Sequence, residues 1–364
     1  MNQRHPPRAR RLGPRPLAAL VTLGVLVLAG PARAWDAHGH RLITLLALDR
    51  LALDLPEFLR DPQVRAMIAE NSNEPDRWRS VRQGHLMHLN GPDHYLDVED
   101  LGHYGLTLRD IPPLRYEFVS LMAITREKLG SEFKGRPINA ARDIAKTAQW
   151  PGFVAHAIAE NYGKLTASFK TLRILETLDD PDRDHQISAQ RGNIAAIIGV
   201  LSHFVGDTAQ PLHTTRHHHG WVGDNPGNYT TRYSFHAYID GTILDIHKLD
   251  YEAMREDPPH DAARLPRTRD VDPMNPWRAI LDHVQRSHEQ VVPLYELEKS
   301  GELVGDPGRE LIMARLRDGA SMLADLCNAA WEASDPTRED IDNFIKYDNF
   351  KPGFFVIAEP AGSP

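Results

Sequence analysis

Apolar residues recur at three- and four-residue spacing along most of the chain, the period of helices that bury one face. The pattern predicts helices over 38–53, 114–129, 153–178, 188–209, 229–251 and 276–295. Another runs from 306 to about 332, and a short last one lies near Phe344. The helix over 188–209 is strongly apolar in its middle, 194–204, so His203 and Asp207 at its end are expected to be buried. Pro151-Gly152 opens one helix, and Asp306-Pro307 and Asp335-Pro336 open two more. Asn275-Pro276 offers an N-cap with proline at the first helical position. No alternating run recurs often enough to build a sheet, so the expected fold class is all-α. Residues 252–275, rich in Pro, Asp and Arg, read as a surface loop. So do residues 214–228, with Gly220, Gly223, Pro226 and Gly227.

Residues 1–34 stand apart from this pattern. Arg4, Arg8, Arg10, Arg11 and Arg15 precede an apolar stretch over 17–30 and the small-x-small run Ala32-Arg33-Ala34. The order matches a secretory signal peptide cut between Ala34 and Trp35, which sends the mature chain to the periplasm or the exterior. An uncleaved membrane anchor is the alternative, for which the apolar stretch is short. No later segment is apolar and long enough to span a bilayer, so stable membrane insertion is not expected. The organisation that follows is a signal peptide over 1–34, one helical domain over 35–350 and a tail over 351–364, with a monomer as the default.

Charge narrows the chemistry. The 364-residue chain carries a formal charge of −8, and losing the six arginines of 1–34 takes it to −14. Such a protein does not bind nucleic acid through a basic surface. A phosphate ligand would need local positive charge, such as metal ions. The single cysteine, Cys327, rules out an internal disulfide and lies in an apolar helical stretch, where a buried inert thiol is expected.

Histidine is abundant, with 19 residues. The most specific arrangement is His203-Phe-Val-Gly-Asp207 followed by Gln210-Pro211-Leu212-His213. Residues four apart share a helix face, so His203 and Asp207 can point at one spot. Pro211 disfavours helix at Gln210, so the chain bends there and His213 can turn back toward a neighbouring ion. His236-Ala-Tyr-Ile-Asp240 repeats the spacing. Imidazole and carboxylate suit zinc. A lone His-x-x-x-Asp pair is more often an ion pair, but a buried charge is costly unless paired or bound to metal, and two copies strengthen the metal reading. A chain beginning at Trp35 would also offer a free amine and its own carbonyl as chelating groups. His40 lies five positions on, in Trp35-Asp36-Ala37-His38-Gly39-His40. Sequence physics does not choose between that role and simple packing of Trp35.

Taken in order, Trp35…Gly39-His40, Asp76-Arg77-Trp78-Arg79, His94-Tyr95-Leu96-Asp97, His203…Asp207…Gln210-Pro211-Leu212-His213 and His236…Asp240 resemble the single-strand-specific zinc nucleases. These are the nuclease P-one and nuclease S-one family, which shares its fold with bacterial zinc phospholipase C. The resemblance spans about 35–240 and implies three Zn2+ ions. One would be held by Asp76, His94, His203 and Asp207. A near neighbour would be held by Trp35 through its backbone, by His40 and by Asp207 as a bridge. A third would be held by His213, His236 and Asp240. His94 rather than nearby His88 carries the family's aromatic-aliphatic-Asp sequence. The loop run His217-His218-His219 reads as solvent-facing, with weak metal binding at most.

The resemblance further implies a phosphoesterase in which a metal-bridging hydroxide attacks phosphorus, with Asp207 serving two ions. Arg79 matches the family's cation beside the scissile phosphate; a surface ion pair is the plain alternative. Asp97 matches the carboxylate that reads the nucleobase; orienting His94 is its alternative. The implied substrate is single-stranded nucleic acid or a 3′-nucleotide, from the short spacing after Trp35 and from Asp240, where the phospholipases place Glu. The chain departs from the nucleases at Gly223-Asp224-Asn225-Pro226-Gly227-Asn228, at Ile239-Asp240 and in lacking disulfides. A phospholipid head group, as in a phospholipase C, or another phosphate monoester or diester therefore stays open as substrate, as does a non-catalytic exported zinc-binding protein.

Overall fold

A computed structural model describes residues 35–352 apart from 136–137, 139–140, 142, 144 and 257–270. The expected signal peptide and nearly all of the expected tail lie outside the described residues. The chain is all-α: among the described residues the only β pairing is one antiparallel bridge between Leu96 and Gly152.

Asp36 starts α1 (Ala37–Leu48), its carboxylate accepting from the His38 and Gly39 amides at 3.0 and 3.1 Å. Three short helices follow: α2 (Pro62–Asn71), α3 (Glu74–Ser80) and α4 (Gly84–Asn90). The hydrophobic pattern does not reveal them, because they bury little; α2 hides only Ile68 and Ala69. Beyond α5 (Arg115–Leu129) come the long antiparallel neighbours α6 (Val154–Leu178) and α7 (Asp184–Ala209). The region 229–251, expected as one helix, is instead α8 (Phe235–Ala237), a π-helical turn Tyr238–Thr242, and α9 (Ile243–His247). α10 (Tyr251–Glu256) starts at the last residue of that expected helix and runs into the expected loop 252–275. The expected helix 276–295 is split into α11 (Trp277–His288) and α12 (Val291–Ser300). Pro293 explains the break: its ring would clash with the carbonyl four residues back, at Glu289, where α11 has ended. α11 also begins one residue late, with Pro276 at the cap position and no side-chain cap from Asn275. The 27-residue α13 (Asp306–Glu332) and α14 (Arg338–Asp348) complete the order.

α7 is the central element. It packs on α6, α2, α13, α1 and α11, and its last turns, residues 201–209, are buried throughout. Ile194, Ala195, Ile198, Leu201 and Val205 are fully buried and join one continuous hydrophobic cluster with Ile43, Leu316 and Leu323. Burial of this kind contributes about 1.5–3 kcal/mol per large apolar side chain. The same enclosure takes Ser202, His203, Asp207 and Thr208 out of water. Cys327, on α13, is fully buried, and burial pushes its thiol up to about 12, as an inert packing group requires.

Candidate metal centre

α7 and α1 form the floor. Their polar seam is closed by Thr44 Oγ1, which bonds Ser202 Oγ at 2.7 Å and donates to the His40 carbonyl. One turn on, the His40 and His203 rings stack with centroids 4.1 Å apart, and His40 Nε2 stands 3.5 Å from Asp207 Oδ1. Glycine makes this approach possible. A Cβ at Gly206 would sit 2.9 Å from His40 Nδ1, and one at Gly39 would sit 2.8 Å from the Trp35 Cβ. His203 donates from Nδ1 to the Ser72 carbonyl at 2.7 Å, which fixes its tautomer and leaves Nε2 facing Asp207 Oδ2 at 3.3 Å.

The next wall comes from α3 and the 3-10 turn Gly91–His94. His94 Nδ1 lies 3.0 Å from both His203 Nε2 and Asp207 Oδ2, and 4.0 Å from Asp76 Oδ1. Asn90 steadies that ring at Nε2, at 3.1 Å, while donating to the Pro75 carbonyl at 2.7 Å. Arg79, one turn after Asp76, places Nη2 2.8 Å from Asp76 Oδ1.

The third group is built on short elements. α7 ends at Ala209, Gln210 turns to an extended conformation, and Pro211–Thr214 forms a 3-10 turn that carries His213. His213 Nδ1 donates to the His94 carbonyl at 2.5 Å, and its own carbonyl accepts from the Leu96 amide at 2.9 Å. Its Nε2 then meets His236 Nε2 at 2.9 Å. His236 faces Asp240 across the π-helical turn, at 3.5 Å. Gln210 holds the other Asp240 oxygen at 2.7 Å, and the Asp240 carbonyl accepts from the Asp36 amide at 3.0 Å. That last bond ties the start of α1, with Trp35 buried against Gly39, to the third group.

Burial sets the protonation states. It lowers His40, His94 and His236 well below the usual histidine range, helped by neighbouring imidazoles and the Arg79 charge. It takes His213 down to about 3. Burial acts on His203 too, but the Asp207 carboxylate beside it turns the shift upward. Burial raises Asp207 to about 6, against the pull of His203, and raises Asp240 well above the usual carboxylate range. At His40, His94, His213 and His236, burial favours neutral imidazoles, and at Asp207 and Asp240 it disfavours the carboxylate anions beside them, a condition that a cation would relieve.

Unpaired atoms point the same way. Both ring nitrogens of His40, His236 Nδ1, Asp207 Oδ1 and Asp240 Oδ2 are buried without a hydrogen bond. Each such group costs about 1–3 kcal/mol. The donors fall into three sets whose candidate ligand atoms lie within 4.8 Å of one another: His40, His203 and Asp207; Asp76, His94 and His203; His213, His236 and Asp240. These buried His and Asp groups can hold metal ions.

Eight of the nine expected ligands thus converge on side-chain positions, and Trp35 sits at the head of α1 beside them. His88 does not: it is exposed and its Nδ1 bonds the Ala145 carbonyl at 2.6 Å. Asp97 is buried and has His218 Nδ1 3.7 Å away, on the side of the loop after His213. That loop corrects the sequence reading of His217-His218-His219 as solvent-facing. His217 is buried and stacks on Trp221 at 3.9 Å, while His218 and His219 are half-buried with their rings 6.1 and 5.3 Å from His236. Ser72, Asn90 and Gln210 were not picked out as site residues; of these only Gln210 lies within a quoted motif.

No family model matches the chain, and none of the curated proteins does.

Proposed function

We propose that the mature chain is an exported zinc-dependent phosphoesterase of the single-strand-specific nuclease type, hydrolysing phosphodiester bonds of single-stranded nucleic acid or a 3′-nucleotide. The observation that carries this reading is the convergence of His40, Asp76, His94, His203, Asp207, His213, His236 and Asp240 on three buried donor sets beside Arg79. The nitrogen and oxygen donors suit zinc, without the thiolates of structural zinc sites. In this reading Asp76, His94, His203 and Asp207 hold one ion. Trp35 through its freed amine and carbonyl, with His40 and Asp207, holds a second. His213, His236 and Asp240 hold the third. Bound zinc supplies Lewis acidity, bringing water toward ionisation at neutral pH and neutralising phosphate charge.

The protein's own groups do the rest. Ser72, Asn90 and Gln210 orient the ligands, and outer partners of this kind commonly carry 10–100-fold in metal affinity, as an order of magnitude. Arg79, anchored on Asp76, offers its guanidinium to a phosphate oxygen. Asp97 offers a carboxylate acceptor to the exocyclic amine of a base.

The test is a substrate panel on zinc-loaded chain beginning at Trp35: single-stranded DNA, RNA, a nucleoside 3′-monophosphate and phosphatidylcholine. Hydrolysis of the nucleic acid or the nucleotide is expected. Turnover of phosphatidylcholine alone would reassign the enzyme as a phospholipase C, and three bound zincs with no turnover would leave a binding protein.

A further inference from the structure

The loop after His213 is fastened more firmly than a connector needs to be. Thr215 Oγ1 and the Arg216 amide both donate to Glu99, the Arg216 guanidinium lies 3.3 Å from Asp100, and the Tyr295 hydroxyl donates to the His217 carbonyl. His218 Nδ1 donates to the Thr215 carbonyl at 3.1 Å. Glu99 and Asp100 belong to the 3-10 segment Val98–Tyr104, which directly follows Asp97. The loop is therefore clamped to the strip of chain that also carries His94 and Asp97.

His219 directly follows this clamped stretch. Its ring stacks on Tyr233 with centroids 4.3 Å apart and planes 28° apart, and its centroid is 5.3 Å from that of His236. Tyr233 is 67% exposed and His219 half-buried, so the pair lies between solvent and the third ligand set. Arg79, the cation of the site, stands with Asp76 in a different ligand set. A phosphate ester reaching the third set would meet an imidazole edge there. Neutral imidazole always carries one N–H, which suits a phosphate oxygen without adding a full charge.

We propose that His219 is a substrate-positioning residue, donating a ring N–H to an oxygen of the phosphate ester on the His213–His236–Asp240 side, with Tyr233 as the platform that sets its plane. The inference rests on the phosphoesterase reading above. It gives the third ligand set a phosphate contact of its own, where Arg79 serves the other side.

Calorimetric titration of inorganic phosphate into zinc-loaded mature chain, with zinc content measured in parallel, tests it. His219→Phe keeps a ring to stack on Tyr233 but has no N–H, and should weaken phosphate about tenfold with zinc content unchanged. His219→Gln keeps a donor and should retain most of the affinity. Phosphate binding by His219→Phe equal to wild type, or loss of zinc alongside phosphate, would overturn the assignment. Repeating the titration with a nucleoside 3′-monophosphate and with phosphocholine should give the same ratio for both; an effect on only one would move the contact to base or choline and overturn it too. If wild type itself neither binds phosphate nor cleaves any ester, the phosphoesterase reading fails first, whereas an active wild type with indifferent variants sinks the His219 role alone.

Discussion

Two regions along α7 bury histidines in opposite ways. At the α7–α11–α13 junction, His283 faces the Val205 carbonyl with Nε2 at 3.2 Å and Asp318 with Nδ1 at 3.0 Å. The protein satisfies both nitrogens, and His283 acts as a polar rivet in the core. At the floor of the candidate centre, His203 is just as buried and also has a carbonyl partner at Nδ1, but its Nε2 is crowded by a second imidazole nitrogen, His94 Nδ1, at 3.0 Å as well as by Asp207 Oδ2 at 3.3 Å. His40 goes further, with neither nitrogen hydrogen-bonded. Burial alone does not mark a ligand. What marks it is burial with the polar atom left aimed at other donors of the same kind.

The largest expected effect comes from Asp207→Asn. The variant should lose ester hydrolysis by more than the 10–100-fold typical of outer-shell changes, and should bind less zinc. Near-normal turnover would show that Asp207 is not a shared ligand.

Exchanging the two kinds of histidine sharpens the contrast. His283→Ala should lower thermal stability by about 1–3 kcal/mol whether or not zinc is added, because Val205 and Asp318 lose a buried partner. His203→Ala should instead abolish most of the zinc-dependent rise in melting temperature. Equal responses to zinc from the two variants, followed by calorimetry, would erase the distinction between the two histidines.

Gln210→Ala probes one ligand set alone. It frees an Asp240 oxygen while leaving α1 and α7 intact, so zinc should weaken roughly 10–100-fold at the His213 set and stay in place at the others. A uniform loss across all sites in competition titrations would argue for general unfolding of the region instead.

The smallest effect concerns His156, another satisfied histidine, whose Nε2 bonds the Pro112 carbonyl at 2.9 Å. Burial holds it at about 4, against 6.5 when exposed. Between those values the unfolded chain binds the extra proton, so stability falls as pH drops through the window. His156→Gln should remove up to about 2 kcal/mol of that fall by pH 5, measured by denaturant unfolding of metal-free chain at pH 7 and pH 5. An unchanged slope would mean that His156 is already charged in the fold.

How much of this was legible in the sequence follows from the range of each interaction. The His203–Asp207 and His236–Asp240 pairs are local, so helical spacing revealed them; the π-helical turn between the second pair was not visible, because it depends on how Asp36 and Gln210 grip Asp240. Asp76 and His94 sit on short elements with weak periodicity, and only the family resemblance singled them out. His283 and His203 look alike in sequence, since the groups that satisfy or confront them come from distant segments. The run 217–219 was misread because its glycine-flanked loop composition suggests exposure, whereas Glu99 and Tyr295 pull it against the site. α2, α3 and α4 escaped because a helix that buries few residues leaves little pattern.

The most direct measurement is equilibrium dialysis of the chain beginning at Trp35 against zinc, with metal counted per chain. Three equivalents are expected for the wild type, with His88→Ala the same and Asp207→Asn lower. One equivalent or none in the wild type, or equal loss from His88→Ala and Asp207→Asn, would contradict a three-metal centre built from these buried groups.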